Sequence, residues 1–71
     1  MLILLIRHAD AGDHDPARWP DDTLRPLTDK GRRQAERVGN LLAAADASPD
    51  LVVTSPLVRA EETARIVAAT L

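Results

Sequence analysis

Cysteine, phenylalanine and tyrosine are missing from this 71-residue sequence, and tryptophan occurs once, at Trp19. Without thiols there can be no disulfide staple and no thiolate metal site, a composition that suits a reducing cytoplasm. An excess of basic charge is missing too. The net charge of -2 and a pI near 5.5 give no bulk attraction to nucleic acid or to an anionic membrane, so any anion binding must be local. Long apolar runs are lacking as well: Leu2 to Ile6 is shorter than a signal h-region of about 7 to 15 residues, and nothing approaches the roughly 18 needed to span a bilayer. The expectation is a soluble, cytoplasmic chain. Lysine is nearly absent, with Lys30 alone among nine basic residues. The positive charge is therefore arginine, whose planar fork grips phosphate oxygens in pairs where lysine acts as a point charge.

What is present is ordinary for a globular chain, with 45% hydrophobic and 28% charged residues. A chain this short is one small domain at most and buries only about 60 to 65% of its unfolded surface. No internal repeat, low-complexity segment or linker divides it.

Leu2 to Ile6 is continuously apolar rather than alternating, the pattern of a parallel strand covered on both faces. The segment from Ala9 to Pro26 holds three prolines, Gly12 and five aspartates and reads as a long loop of the kind used for lids and binding. Thr28 is expected to cap a helix with Asp29 in its first turn, Ala35, Val38, Leu41, Leu42 and Ala45 on its apolar face, and Lys30, Arg33, Glu36 and Arg37 towards solvent. Ala47-Ser48-Pro49-Asp50 breaks that helix, and Leu51 to Val53 is expected as a second buried strand. Ser55 and Pro56 fit the N-cap and first position of a second helix, with Leu57, Ala60, Ala64, Val67, Ala68 and Leu71 on one stripe. The order is strand, helix, strand, helix. A right-handed crossover between parallel strands would bring His8 and the turn from Ser55 to Arg59 to one sheet edge.

One imidazole and two guanidinium groups at such an edge suit phosphoryl transfer. Imidazole, with an ordinary pKa of about 6.5, is largely neutral near pH 7 and a good nucleophile towards phosphorus. Guanidinium groups stabilise the equatorial oxygens of the group in flight, where one well-placed donor contributes about 3 to 4 kcal/mol. While one ring nitrogen attacks, the other should be fixed by a hydrogen bond, for which a backbone carbonyl in the turn after His8 is within reach. Ala9, being small, lets that turn pass close.

At Leu5-Ile6-Arg7-His8-Ala9-Asp10-Ala11, at Arg25-Pro26-Leu27-Thr28 with Gly31 and Gln34-Ala35, and at Thr54-Ser55-Pro56-Leu57-Val58-Arg59-Ala60 with Thr63-Ala64, the chain resembles the histidine phosphatase superfamily. Within it, the resemblance is to the SixA-type phosphohistidine phosphatases. Three ordered motifs over nearly the whole chain carry far more weight than an Arg-His pair alone. The superfamily's usual glycine after the histidine is Ala9 here.

The resemblance implies an α/β fold: a βαβα portion of a phosphoglycerate-mutase-like three-layer α/β/α domain with a mainly parallel sheet. It implies that residues 1–71 form the N-terminal portion of a single histidine phosphatase domain, whose later half would supply a second histidine and an acidic proton donor. It makes His8 the phosphorylated nucleophile, with Arg7 and Arg59 binding the phosphoryl group and Arg25 a further phosphate contact. The implied function is phosphoryl hydrolysis through a phosphohistidine intermediate, most directly on phosphohistidine of a protein of the histidine phosphotransfer type. No cofactor or metal is implied.

Phosphoglycerate mutase activity or small-molecule phosphatase activity is the near alternative, and a non-catalytic phosphate-binding or phosphoprotein-binding remnant is the distant one. Arg25 is equally well placed for a salt bridge to Asp21 or Asp22. His14, between Asp13 and Asp15, reads as part of a solvated acidic loop before it reads as a metal ligand. Trp19 reads as a plug that anchors the loop. Two short, doubly apolar strands with open edges also lead us to expect that these 71 residues alone would self-associate rather than form a stable, competent monomer.

Overall fold

The computed structural model describes residues 5–47, 49 and 51–71. Helix α1 spans Asp29–Ala44 and helix α2 spans Val58–Ala69, and a short 3-10 turn, Asp22–Leu24, lies in the segment before α1. α1 starts where local chemistry places it. Thr28 is extended (φ -78, ψ 169), and its hydroxyl accepts the Gly31 N–H at 3.0 Å while Asp29 complements the helix dipole. α1 ends in a Schellman-type closure: Ala47 N–H donates to the Leu42 carbonyl at 2.9 Å and Asp46 N–H to the Ala43 carbonyl at 3.1 Å. That closure holds Asp46 at φ 56, the left-handed conformation usually taken by glycine.

α2 begins two residues later than Ser55 would have set it. Leu57, extended at ψ 134, is the N-cap and contributes no side-chain capping bond. The expectation rested on local capping chemistry, a weak influence that tertiary bonding overrides. The stripes differ as well. α1 buries Gly31, Ala35 and Gly39, and α2 buries Arg59, Thr63 and Val67, each set at i, i+4, i+8. Leu41, expected on the inner face, is exposed, and Lys30, Arg33, Glu36 and Arg37 face solvent as expected.

Small residues let the backbones come close. A Cβ on Gly39 would collide with the Thr70 side chain, and one on Gly31 with the Asp10 carbonyl. The Arg32–Glu62 ion pair at 3.0 Å joins the early turns of the two helices, and the Gly39 approach to Thr70 lies further along both, so the helices run in the same direction.

The expected βαβα sheet does not form among the described residues. Among the described residues no strand forms, and the molecule is two packed helices with connecting segments rather than an α/β domain. Of the first expected strand, residues Leu2 to Leu4 lie outside the described residues, while Leu5 is 94% exposed; in the second, Val53 is 82% exposed. The physical reason is that apolar character asks for burial but does not supply a partner. Two strands of three to five residues make few ladder bonds, and a pair that needs cover on both faces is not stable by itself. Among the described residues what remains buried is small: Ala11, Leu27, Ala35 and Val67 form the apolar core, and no large side chain is fully enclosed. The radius of gyration, 12.9 Å, exceeds the roughly 11 Å of a compact domain this long. Among the described residues no helix is long and apolar enough to cross a membrane.

Candidate functional site

The turn after His8 is pinned from two sides. Asp10 sits on the N-terminus of α1: its carbonyl accepts the Thr28 N–H at 3.0 Å, its carboxylate accepts the Thr28 hydroxyl at 2.6 Å, and its own N–H donates to Gln34 Oε1 at 3.0 Å. Gly31 is what lets the chain lie so near the helix. On the other side, Ala9 N–H donates to Thr63 Oγ1 at 3.1 Å, and the Thr63 hydroxyl donates onward to the Arg59 carbonyl at 2.8 Å. The strand-end position expected for His8 is thus replaced by a loop stitched between two helices.

His8 itself is half-buried, and its Nδ1 lies 2.8 Å from the Ala9 carbonyl oxygen. A carbonyl only accepts, so Nδ1 carries the hydrogen, and in the neutral ring Nε2 is left with its lone pair. This is the backbone tether in the turn after His8 that phosphoryl chemistry requires. The ring lines a cleft of about 330 Å³ together with Arg7, Gln34, Arg37 and Thr63. Arg7 is exposed and makes no hydrogen bond or ion pair with the described residues. Arg37, assigned by helical periodicity to a solvated face, adds a second guanidinium to the walls of this cleft. Its position on α1 carried no signal beyond being four residues on from Arg33.

The other two arginines meet elsewhere. Arg25 and Arg59 are only 9% and 8% exposed, and both are held by Asp22. Arg25 Nε–H donates to Asp22 Oδ1 at 2.8 Å, and its Nη1 donates to the carbonyls of Ala11, at 3.0 Å, and Gly12. Arg59 Nη1 donates to the Asp22 carbonyl at 2.8 Å and its Nη2 to Oδ2 at 3.1 Å. The hydrogen bond from Arg25, with the charges of Arg25, Arg59 and His14 behind it, holds the Asp22 carboxyl below the usual carboxylate value. Of the two partners open to Arg25 in the sequence, Asp22 is the one it takes. Arg59 Nε is buried and has no hydrogen-bond partner among the described residues.

The structure therefore places His8 with Arg7, and Arg25 with Arg59. The bridge between the two groups is Thr63, bonded to Ala9 beside His8 and to the carbonyl of Arg59. A second cleft of about 430 Å³ is lined by Arg18, Trp19, Arg25 and Leu27, with the Arg18 guanidinium 6.0 Å above the Trp19 ring. Glu62 ties the segment around Arg25 to α2, accepting the Leu27 N–H at 3.0 Å. Its role as an anchor was not visible in the sequence, where it is one of two adjacent glutamates in a helix. Among the described residues, no three histidine or acidic side chains gather as a metal site would require.

Known proteins resemble this chain over nearly its whole length. It is 43% identical over 68 residues to the mitochondrial serine/threonine-protein phosphatase Pgam5 of Drosophila yakuba, a match covering 92% of the chain and 21% of that protein. Against Pgam5 of Drosophila virilis the identity is 44% over 68 residues, with the same coverage. An acid phosphatase of Mycobacterium tuberculosis is 36% identical over 64 residues, covering 90% of the chain and 32% of the relative. The chain thus spans about a fifth to a third of the length of these relatives. No solved structure matches it significantly. The family signature of branch 1 runs across residues 3–71, taking in the Arg7-His8 pair, the Arg25 segment and both helices, and by that match the chain belongs to the histidine phosphatase superfamily.

Proposed function

We propose that this chain provides the phosphoryl-accepting part of a phosphatase site, in which His8 Nε2 takes the phosphoryl group and phosphohistidine on a protein is the substrate. The observation that carries the reading is the tether of His8 Nδ1 to the Ala9 carbonyl, which leaves Nε2 as the nucleophilic nitrogen in a cleft with Arg7 and Arg37. In the first step Nε2 forms a bond to phosphorus as the bond to the leaving nitrogen breaks, and the departing imidazole takes up a proton. Water then attacks the phosphohistidine and releases phosphate, with His8 restored. Superfamily membership supports phosphatase chemistry, and the motif Arg25-Pro26-Leu27-Thr28 supports the phosphohistidine substrate.

Arg59 and Arg25 join the phosphate site by exchanging Asp22 for phosphate. Both anions present oxygens that a guanidinium fork can hold, and the buried Nε of Arg59, which has no partner among the described residues, is a donor for the incoming anion. Hydrolysis of a phosphoester is the second reading, favoured by relatives named as a serine/threonine-protein phosphatase and an acid phosphatase.

Incubation with a phosphohistidine-bearing protein and, separately, with a phosphoserine peptide, each labelled with radioactive phosphate, tests the proposal. The expected product is acid-labile, base-stable label on His8, formed faster from phosphohistidine and abolished in His8→Ala. Label in the His8→Ala protein would overturn the nucleophile, and faster transfer from phosphoserine would overturn the substrate.

A further inference from the structure

The two peptide groups of Ala9 connect His8 to α2. The Ala9 carbonyl holds His8 Nδ1 at 2.8 Å, and the Ala9 N–H is held by Thr63 Oγ1 at 3.1 Å. Thr63 is 5% exposed, and its own hydroxyl hydrogen is committed to the Arg59 carbonyl at 2.8 Å. That commitment turns a lone pair of Oγ1 towards Ala9, so the acceptor is oriented before His8 does anything. From this geometry we infer that Thr63 is a positioning residue, which sets the orientation and tautomer of the His8 ring through the Ala9 peptide. The inference deepens the proposed function and rests on it only where it concerns rate.

The chemistry of the relay is simple. In a free histidine side chain the hydrogen resides mainly on Nε2, the nitrogen that must attack phosphorus here. Holding Ala9 in place keeps its carbonyl on Nδ1 and moves the hydrogen there, which leaves Nε2 as a base. Gln34 steadies the next peptide by accepting the Asp10 N–H, so the turn cannot slide when Ala9 is pulled. Among the described residues Thr63 makes no hydrogen bond to the His8 ring; it acts through Ala9. A hydroxyl on the buried stripe of α2 suits the task because it makes both bonds at once.

The test compares the unsubstituted chain with Thr63→Val, which keeps the shape and removes the hydroxyl, and with Thr63→Ser, which keeps the hydroxyl. Nitrogen-15 chemical shifts of the His8 ring report the tautomer without any need for catalysis. Expected is a dominant Nδ1–H form in the unsubstituted protein and in Thr63→Ser, and a shift towards Nε2–H in Thr63→Val. Transfer from a phosphohistidine substrate should fall by roughly 10- to 100-fold in kcat in Thr63→Val, with KM little changed, because misplacing a reacting group slows chemistry more than binding. Thr63→Ser should recover most of the rate. An unchanged His8 tautomer in Thr63→Val would overturn the inference, as would a Thr63→Ser protein that behaves like Thr63→Val. If His8 takes no phosphate at all while the tautomer moves as expected, the proposed function fails and the positioning role stands.

Discussion

Three basic side chains converge on Asp22. Arg25 and Arg59 bond to its carboxylate, and His14 Nε2 lies 3.7 Å from Oδ1. Two nearly buried guanidinium groups need such a counter-ion, because an uncompensated buried charge is costly. The same carboxylate occupies donors that a phosphate would use. Asp22→Asn should therefore have two opposed effects. The free protein becomes less stable, since the positive pair loses its partner, and inorganic phosphate then raises Tm more in the variant than in the unsubstituted chain. An equal or smaller rise would show that phosphate does not compete for these arginines. The pH dependence has a definite sign. Because the folded-state pKa of Asp22 is lowered from 3.8, its contribution to stability is complete above that value and lost as pH falls through the lower folded one. Asp22→Asn should flatten the part of the acid limb of Tm against pH that lies below about 4. That Arg25 would take a neighbouring aspartate was legible in the sequence. That Arg59 would share the same one was not, because choosing among five loop aspartates depends on how the loop lies across α2.

α1 was legible because its start is a matter of local chemistry: a threonine hydroxyl, a first-turn aspartate and a small inward residue at Ala35. α2 was legible as a helix but not in its face. The apolar periodicity selected Ala60, Ala64 and Val67, whereas the packed stripe is Arg59, Thr63 and Val67, the first two polar and tied to the preceding loops by tertiary hydrogen bonds. Hydrophobic patterning has no means of finding an inward arginine whose partner lies 37 residues away. The strands failed for the complementary reason, since a run such as Leu51 to Val53 signals a wish for burial and pairing is settled elsewhere. Gly31 is where element and site meet. Its missing side chain makes room for the Asp10 carbonyl, which the flexible end of a side chain could vacate but a backbone cannot. Gly31→Ala improves helix propensity by about 1 kcal/mol. The collision should outweigh that gain, for a net loss of roughly 1 to 3 kcal/mol. Urea denaturation would measure it, and amide shifts at His8 to Ala11 should move furthest. A variant as stable as the unsubstituted chain, with those amides unmoved, would show that the close approach is not required.

At the scale of the whole molecule, the balance between buried and exposed apolar surface decides how the chain behaves when isolated. The core consists of two alanines, a leucine and a valine, while Leu5, Leu41, Leu51 and Val53 are exposed to solvent. A small core gains little: at about 25 cal/mol per Å² of buried apolar surface, so few side chains leave the balance against the conformational entropy of ordering this many residues marginal. Hydrogen bonds do not change the outcome, since those that pin Asp10 and Arg59 replace bonds to water and contribute about 1 kcal/mol each. The exposed residues are also not scattered. Leu51 to Val53 is a contiguous apolar stretch with no strand partner among the described residues, the kind of edge on which chains add to one another. The 71-residue chain studied alone should therefore sediment as species larger than a monomer at micromolar concentration, and its urea unfolding should be broad and depend on protein concentration. Replacing Leu51 and Val53 together by threonine should shift the distribution towards monomer while leaving the contacts of His8 with Ala9 unchanged, because neither residue takes part in that turn. A sharp, concentration-independent transition from a monomer would show that the two-helix unit with its pinned loops is sufficient by itself.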